Sequence, residues 1–211
     1  MALNPALAKI LAPAYAPCAE FQGACSEMRW LPERGHVPRG FLGATGSVDE
    51  VELVLVFAEP GDPHDGEVHS GLDSAHQYAT VVFSQGTDLF HRNVRKILNS
   101  CWPELAFEDQ MRRAWLTDSV LCSARREGGN VSSASSRACG NRYLGAQLRL
   151  FPSALVVALG GKAANRLRAI GVTDFLPVFA AAPPGCNLRK AKESWDLIPV
   201  ELSRRRKERA T

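Results

Sequence analysis

Three short apolar runs, each ended by turn-forming residues, constrain the fold of this chain more than any other feature. They cover residues 50–57, 114–117 and 153–159, and a fourth, shorter run covers residues 176–180. Stretches with helical spacing follow them, at residues 90–98, 137–151, 162–170 and from about residue 190 onward. Continuous apolar strands that alternate with helices are typical of parallel sheets covered on both faces. We therefore predict an α/β fold, with three αβα layers built around a central, mostly parallel, four-stranded sheet.

The length and composition of the chain predict a single domain. With 211 residues, of which 45% are hydrophobic, the chain can bury one core but is short for two. We expect residues 1–48 to lead into this domain and residues 200–211 to form a basic tail. No run of about 18 apolar residues occurs, and residues 1–17 lack the charged start and apolar stretch of a signal peptide. The expectation is a cytoplasmic protein that contacts no membrane.

The ends of the predicted strands indicate where a functional site would form. In an open parallel sheet, ligands bind in the crevice beyond the carboxyl ends of the strands. Those ends carry Glu59-Pro60-Gly61, Asp118, Gly160-Gly161 and Pro183-Pro184-Gly185. Residues 61–86 are rich in Gly, Asp, His and Ser, and this composition predicts a long functional loop.

The basic residues are unevenly distributed, although the net charge is only +3. The end of the chain carries Arg204, Arg205, Arg206, Lys207 and Arg209. Such a cluster can screen phosphate groups, but a solvated helix end explains it equally well. Charge alone therefore does not identify a nucleic-acid partner.

Several motifs gain meaning from their order along the chain. They are Glu59-Pro60-Gly61 after a buried strand, Phe83-Ser84, residues 116–122 (Leu-Thr-Asp-Ser-Val-Leu-Cys), residues 137–144 (Arg-Ala-Cys-Gly-Asn-Arg-Tyr-Leu) and residues 151–160 (Phe-Pro-Ser-Ala-Leu-Val-Val-Ala-Leu-Gly). Together they resemble the uracil-DNA glycosylase superfamily, and residues 35–41 resemble the lead-in of its iron–sulfur branches. The resemblance extends over roughly residues 25–187. It implies a base-excision repair enzyme that hydrolyses the N-glycosidic bond of uracil in DNA and leaves an abasic site.

The resemblance implies roles for three residues near the first strand end. Glu59 stands where one branch has its catalytic Asp, and a carboxylate there can orient a water or stabilise an oxocarbenium-like sugar. Gly61 stands where that branch has a Tyr that excludes thymine, so it would border the uracil. Phe83 stands where a Phe stacks on the flipped base. The structural alternatives are a carboxylate that only holds loop amides and a Phe that only fills the core.

Two positions depart from the family pattern. Asp118 replaces an Asn whose amide pairs with the edge of uracil, and an ionised Asp cannot donate to a carbonyl. A protonated Asp could do so, which requires a raised pKa. Ala182 stands where the family has a His that stabilises the departing uracil anion. Of the histidines in the loop after Glu59, which are His64, His69 and His76, we take His64 as the candidate substitute.

The resemblance also implies contacts with DNA. Pro183 and Gly185 match a segment that presses on the DNA backbone, and Asn187 and Arg189 can reach phosphate. Lys162 opens the helix after Gly160-Gly161, where free N–H groups and the helix dipole favour an anion. A surface lysine is the structural alternative.

Six cysteines occur, and in a reducing compartment they are not expected to form disulfides. Cys122 and Cys139 are spaced like the central ligand pair of the iron–sulfur branches, and Cys25 matches an N-terminal ligand. The partner of Cys25 should lie at Gln22, and Cys18 is the only substitute, at a wider spacing. The residues therefore favour a protein without a cofactor, with a 4Fe–4S cluster on Cys18, Cys25, Cys122 and Cys139 as the alternative.

Three functions remain open at this point. The first is a monofunctional uracil-DNA glycosylase acting as a monomer on single- or double-stranded DNA. The second is a damaged-base or abasic-DNA binding protein with little turnover, which Asp118 and Ala182 favour. The third is a generic phosphate-binding α/β protein, against which the absence of a G-x-G-x-x-G motif and a P-loop counts.

Overall fold

The computed structural model of the protein describes residues 2–209 and has the predicted α/β fold. Within these residues the sheet contains five strands: β1 (Leu42–Gly43), β2 (Leu53–Phe57), β3 (Ala114–Asp118), β4 (Leu155–Leu159) and β5 (Leu176–Val178). Their order is β1-β3-β2-β4-β5, and β1 alone is antiparallel to its neighbour. The prediction of four strands was wrong because β1 has only two residues, too few to produce a recognisable apolar run.

Helices cover both faces of the sheet. They are α1 (Pro5–Leu11), α2 (Leu72–Gln85), α3 (Leu89–Cys101), α4 (Phe107–Arg113), α5 (Ser133–Cys139), α6 (Gly145–Arg149), α7 (Gly161–Ala169), α8 (Lys190–Trp195) and α9 (Leu197–Arg209). A π-helical turn, Gly140–Leu144, joins α5 to α6. In the part of the chain that the structure describes, no helix is both long and apolar enough to cross a membrane.

Helix α2 corrects the prediction that residues 61–86 form a long loop. Its polar composition concealed an apolar stripe at helical spacing, in which Ala75, Ala79 and Phe83 are buried. The segment before it, from Gly61 to Gly71, has no helix or strand and borders the carboxyl end of β2.

The central strands divide the core into two layers because successive side chains point to opposite faces of a sheet. Leu53, Leu55 and Phe57 of β2 pack with α2, α3, α4, α8 and α9, whereas Val54 and Val56 pack with α1, α5 and α7. All five of these β2 side chains are buried, which explains the continuous apolar run in the sequence. The three-layer αβα prediction is confirmed.

Candidate functional site

A cleft of about 620 Å³ lies at the carboxyl ends of β2, β3, β4 and β5. This volume is in the range of small-molecule sites, about 300–1,000 Å³. Six of the residues predicted from the sequence line the cleft: Glu59, Gly61, His64, Phe83, Asp118 and Pro183. The parallel strands bring them together because their carboxyl ends meet at one edge of the sheet. Phe57 and Asp118, for example, are register partners on β2 and β3.

Glu59 follows β2 and forms ion pairs with two cations of α7. Its side chain is only 6% exposed, and Oε1 accepts a short hydrogen bond from Lys162 Nζ. Arg166 Nη1 lies 2.5 Å from Glu59 Oε2, but it donates its hydrogen bonds to the Ala58 carbonyl and to Ser119 Oγ. Within residues 2–209, Glu59 Oε2 therefore has a cation beside it but no hydrogen-bond donor. This oxygen is buried beside Arg166.

Asp118 ends β3, and its side chain lies against the backbone of Gly40. A Cβ atom on Gly40 would come within 1.9 Å of Asp118 Oδ2, so no larger residue fits at position 40 while Asp118 stays in place. Burial raises the pKa of Asp118 well above its usual 3.8, and the nearby Glu59 raises it further, although Arg39 and Arg166 oppose this. The raised pKa favours the protonated form of Asp118, which can both donate and accept a hydrogen bond.

A buried charge network forms another wall of the cleft, and the sequence interpretation did not identify it. Arg39 Nε lies 3.3 Å from Glu67 Oε1, which also makes a 2.8 Å hydrogen bond with His69 Nε2. Arg39 additionally donates to the Gly61 carbonyl at 2.5 Å, which fixes the loop that follows Glu59. The sequence does not reveal the network because Glu67 and Gly61 lie 28 and 22 residues from Arg39 in the chain.

An aromatic group lines part of the cleft. Phe83 on α2 is buried, and its ring makes edge contacts with Phe90 at 5.8 Å and with His91 at 4.4 Å between centroids. Phe90 in turn contacts Phe57 at 5.1 Å. Phe83 thus fills the core and lines the cleft at the same time, so the two interpretations of this residue are compatible.

Asp88 and His91 form a carboxylate–imidazole pair on the wall of the cleft. Asp88 caps the N-terminus of α3, where Oδ1 accepts from the His91 backbone N–H at 3.0 Å, and Oδ2 makes a short hydrogen bond with His91 Nδ1. Sequence reasoning missed the pair. The available signal was an Asp three residues before a His at the start of a helical pattern, which is a capping position.

The three loop histidines have different environments. His64 lies at the exposed mouth of the cleft, where Nδ1 is 3.1 Å from Tyr78 Oη. His69 is buried and bound to Glu67. His76 is a core residue of α2, and burial lowers its pKa to about 4, so it stays neutral. Of these three, only His64 lines the cleft.

Of the residues predicted to contact DNA, one lines the cleft. Pro183 lines the cleft, whereas Gly185, Asn187 and Arg189 lie outside its lining, and the last two are exposed. Lys162 does open α7, but in this structure it binds Glu59 and also donates to the Gly129 carbonyl at 2.9 Å. The predicted helix-end cation is therefore joined to the predicted catalytic carboxylate.

The basic tail is part of α9, and its arginines pair within the chain. Arg205 Nη2 lies 2.6 Å from Asp174 Oδ1, and Arg206 binds Glu52. Arg204 pairs with Glu201 at 2.6 Å. These contacts favour the solvated helix end over a phosphate-binding tail.

The four cysteines considered as cluster ligands line one small cavity, which is separate from the cleft. They are Cys18, Cys25, Cys122 and Cys139, and most of the remaining lining is apolar. Tyr143 Oη donates to Cys18 Sγ at 3.1 Å, and the Leu121 N–H donates to Cys139 Sγ at 3.4 Å. Burial raises the pKa of Cys139 to about 12 and that of Cys25 to about 11.

This arrangement fits an iron–sulfur cluster better than a single metal ion. Among the described residues, no three His, Cys, Asp or Glu side chains form a group that could hold one ion. In a 4Fe–4S cluster each cysteine binds a different iron, so the four sulfurs surround the group and do not converge on one point. Four thiols around one cavity, with hydrogen-bond donors to two of the sulfurs, meet that requirement.

No family model matches the chain, and no curated protein matches it. The residues that line the cleft and the cysteine cavity are therefore the basis for assigning a function.

Proposed function

We propose that the protein is a DNA glycosylase that hydrolyses the N-glycosidic bond of deoxyuridine in DNA and leaves an abasic site. The observation that carries this proposal is a pair of carboxyl groups that line one cleft in different surroundings. Burial raises the pKa of Asp118 at the end of β3, whereas Glu59 after β2 is paired with Lys162 and Arg166. Two carboxyl groups whose surroundings separate their protonation states can take different roles in one reaction. One recognises the base and the other stabilises the sugar.

The protonated Asp118 supplies the hydrogen bonds that an Asn supplies in the resembling family. Its carbonyl oxygen accepts from the N3–H of uracil, and its O–H donates to O4. The aromatic group around Phe83 and Phe90 provides an apolar surface for a base taken out of the DNA stack. Gly61 also lines the cleft, at the position where one branch of the resembling family has a Tyr.

Glu59 stabilises the positive charge that develops on the sugar as the bond to the base breaks. In the reaction the carboxylate would orient the water that then attacks C1′. Arg166 Nη1 lies 2.5 Å from Glu59 Oε2 and is itself held by the Ala58 carbonyl and Ser119, so it keeps the carboxylate in position.

Lys162 links DNA binding to the state of Glu59. Its side chain is 44% exposed, so it can turn toward a phosphate without unfolding any element. A phosphate that binds Lys162 would leave Glu59 paired with Arg166 alone. The negative charge of the carboxylate would then be offset by one cation and no longer by two. The roles predicted for Lys162 and Glu59 can therefore follow one another in time. Lys162 binds DNA first, and Glu59 then takes part in the reaction.

The second candidate function is a damaged-base or abasic-DNA binding protein with little turnover. The specific observation that favours it is the pairing of Glu59 with two cations, since a neutralised carboxylate stabilises a sugar cation poorly. Ala182 favours it as well, because alanine cannot supply the imidazole that the resembling family has at that position.

The cavity of four thiols supports a 4Fe–4S cluster as a cofactor, although the spacing of Cys18 and Cys25 alone favoured none. Iron would keep the thiols deprotonated despite their burial. Its chemistry here would be structural, because the cluster cavity and the cleft share no lining residue among those described. We place the protein in the cytoplasm as a monomer, with DNA as its partner.

The test is incubation with single- and double-stranded oligonucleotides that contain one uracil, followed by alkaline cleavage. We expect alkali-labile product at the uracil position and none with the thymine oligonucleotide. Absence of product at enzyme excess overturns the enzymatic proposal. If a gel shift then shows tight retention of abasic DNA, the binding function takes its place.

A further inference from the structure

We propose that His91, oriented by Asp88, stabilises the negative charge on the base as it departs. The inference rests on the proposed glycosylase function and adds a catalytic residue to it. The resemblance expects an imidazole at position 182, where the chain has Ala. The structure places a different imidazole on the same cleft.

The position of α3 brings His91 next to the segment that lacks the imidazole. Asn93 Nδ2 donates to the Ala181 carbonyl at 2.9 Å, so α3 is docked on the residue that precedes Ala182. Ala181, Ala182 and Pro183 line the cleft together with Asp88 and His91. An imidazole on α3 can therefore reach a base that lies against Ala182.

The side chain of His91 is held in one orientation. Asp88 binds both its backbone N–H and Nδ1, and the ring packs edge-on against Phe83 at 4.4 Å and Phe90 at 5.1 Å between centroids. The His91 side chain is 13% exposed. No residue among 2–209 makes a hydrogen bond with its Nε2, so this atom is available to a ligand in the cleft.

Asp88 leaves the second ring nitrogen of His91 free for a ligand. The carboxylate binds Nδ1, so the imidazolium form of the ring would offer its Nε2–H as a donor. Burial acts to raise the pKa of Asp88, but the hydrogen bonds from His91 lower it overall, so Asp88 is ionised. The result is an imidazole held by a carboxylate on the wall of the cleft.

The step balances without a further reactant. The C1′–N1 bond breaks, and both electrons go to the base, where the charge spreads from N1 to O2. His91 Nε2–H donates a hydrogen bond to that oxygen. Water forms the new bond at C1′, and its proton neutralises the released base.

The other histidines that follow Glu59, which are His64, His69 and His76, do not compete for this role. His64 is exposed at the mouth and His69 is bound to Glu67, whereas His76 lies in the core outside the lining of the cleft. His91 alone among the five combines a position on the cleft wall with a carboxylate on Nδ1.

The test compares uracil with 5-fluorouracil as the base in a single-stranded oligonucleotide. The fluorinated base is the better leaving group, so it depends less on a stabilising donor. We expect His91→Phe to slow single-turnover excision of uracil by about a hundredfold, the effect typical of losing one such donor. The same variant should slow excision of 5-fluorouracil by less than about tenfold.

A second variant guards against a folding defect. Asp88→Asn keeps a good helix cap but removes the anion, and it should show the same leaving-group selectivity to a smaller extent. Affinity for an oligonucleotide with 2′-fluoro-deoxyuridine, which resists cleavage, should stay near wild type in both variants. Lys96→Gln, which removes an exposed cation from the same helix, is the matched control and should not alter either rate.

The outcomes separate the two proposals. If wild type excises uracil and His91→Phe slows both bases equally or neither, His91 is not the stabilising donor, and the glycosylase function stands. If wild type excises neither base, the proposed function fails and this inference fails with it.

Discussion

At the scale of single residues, the cleft contains two carboxyl groups in different surroundings. Burial and the nearby Glu59 raise the pKa of Asp118, whereas Glu59 is paired with Lys162 and Arg166. Glu59 thus has two effects. It raises the pKa of Asp118, and it can stabilise a cation in the cleft. A change at either residue is expected to alter the other.

Glu59 is the residue on which we expect the chemistry to depend most. Glu59→Gln keeps the size and one acceptor but removes the charge, so it should lower single-turnover excision of uracil at least about tenfold, roughly 1.4 kcal/mol of barrier. Folding and DNA binding should stay near wild type. The matched control is Asp65→Asn, an exposed carboxylate of the same loop. An unchanged rate in a folded Glu59→Gln protein would move the catalytic role to His64 or Asp62.

Asp118 should make stability depend on pH in a predictable direction. Its folded pKa is raised above the unfolded value of 3.8, so its stabilising contribution is complete below that pH and is lost as pH rises toward the folded pKa. Asp118→Asn removes the titrating carboxyl group, so the variant does not lose this stability as the pH rises. At pH 7 the variant should melt higher by about 2 °C or more, the shift that ~1 kcal/mol produces in a domain of this size.

The measurement is thermal melting of both proteins between pH 3.5 and pH 8, a window chosen around that value. The advantage of Asp118→Asn should shrink as the pH approaches the lower end. A variant that is less stable than wild type at pH 7, or a difference that does not vary with pH, would show that Asp118 is ionised in the folded protein.

At the scale of elements, the turn from β4 into α7 positions the cations that hold Glu59. Gly160 has a φ of +100°, and a Cβ there would lie 3.0 Å from the Ala180 side chain, so the strand, the helix and the loop after β5 meet at this residue. The turn places both Lys162 and Arg166 on the side of α7 that faces Glu59.

Gly160→Ala is therefore expected to destabilise the fold. The positive φ strains any residue with a Cβ, and the contact with Ala180 adds to it, for a loss of about 1–3 kcal/mol in the free energy of unfolding. Gly161→Ala is the matched control, because a Cβ at the next position meets nothing within 4 Å, and alanine is the better helix former. Chemical denaturation of the two variants measures the difference. Equal stability would mean that the turn relaxes at no cost.

At the scale of the whole molecule, the cysteine cavity joins segments that are distant in sequence. Cys18 and Cys25 lie before the sheet, whereas Cys122 follows β3 and Cys139 ends α5. A cluster in this cavity would fasten the N-terminal segment to the core on the face opposite α2 and α3.

A cluster predicts a measurable iron content. Protein purified without oxygen should be brown and contain roughly four iron atoms per chain. Cys122→Ser should lose most of the iron and melt at a lower temperature, because the N-terminal segment is released. Cys186→Ser, a thiol outside the cavity, is the control and should keep both properties. Iron-free wild type that is colourless yet folded and active would rule the cluster out.

The sequence predicted those parts of the fold that leave a pattern in neighbouring residues of the chain. The strands at residues 53–57, 114–118 and 155–159 came directly from continuous apolar runs, because burial on both faces of a sheet leaves a local pattern. The polar composition of residues 72–85 hid a helix, since only its buried stripe is apolar. The edge strand at residues 42–43 left no pattern at all.

The location of the candidate site was also determined by the sequence alone, since turn residues and carboxylates at strand ends must meet at one edge of a parallel sheet. The sequence likewise placed Glu59, Asp118 and the four cysteines among the candidates. Their chemical states were decided only by the tertiary structure. Glu59 meets Lys162 across 103 residues of chain, and Cys18 meets Tyr143 across 125.

The raised pKa of Asp118, the pairing of Glu59 and the placement of His91 on the same cleft as Ala182 depend on burial and on distances between such remote residues. Charge and hydrogen bonding act over a few ångströms in space, and separation along the chain carries no information about them. Local patterns therefore determined where chemistry could occur in this protein, and only packing decided which groups carry a proton, a charge or an available acceptor there.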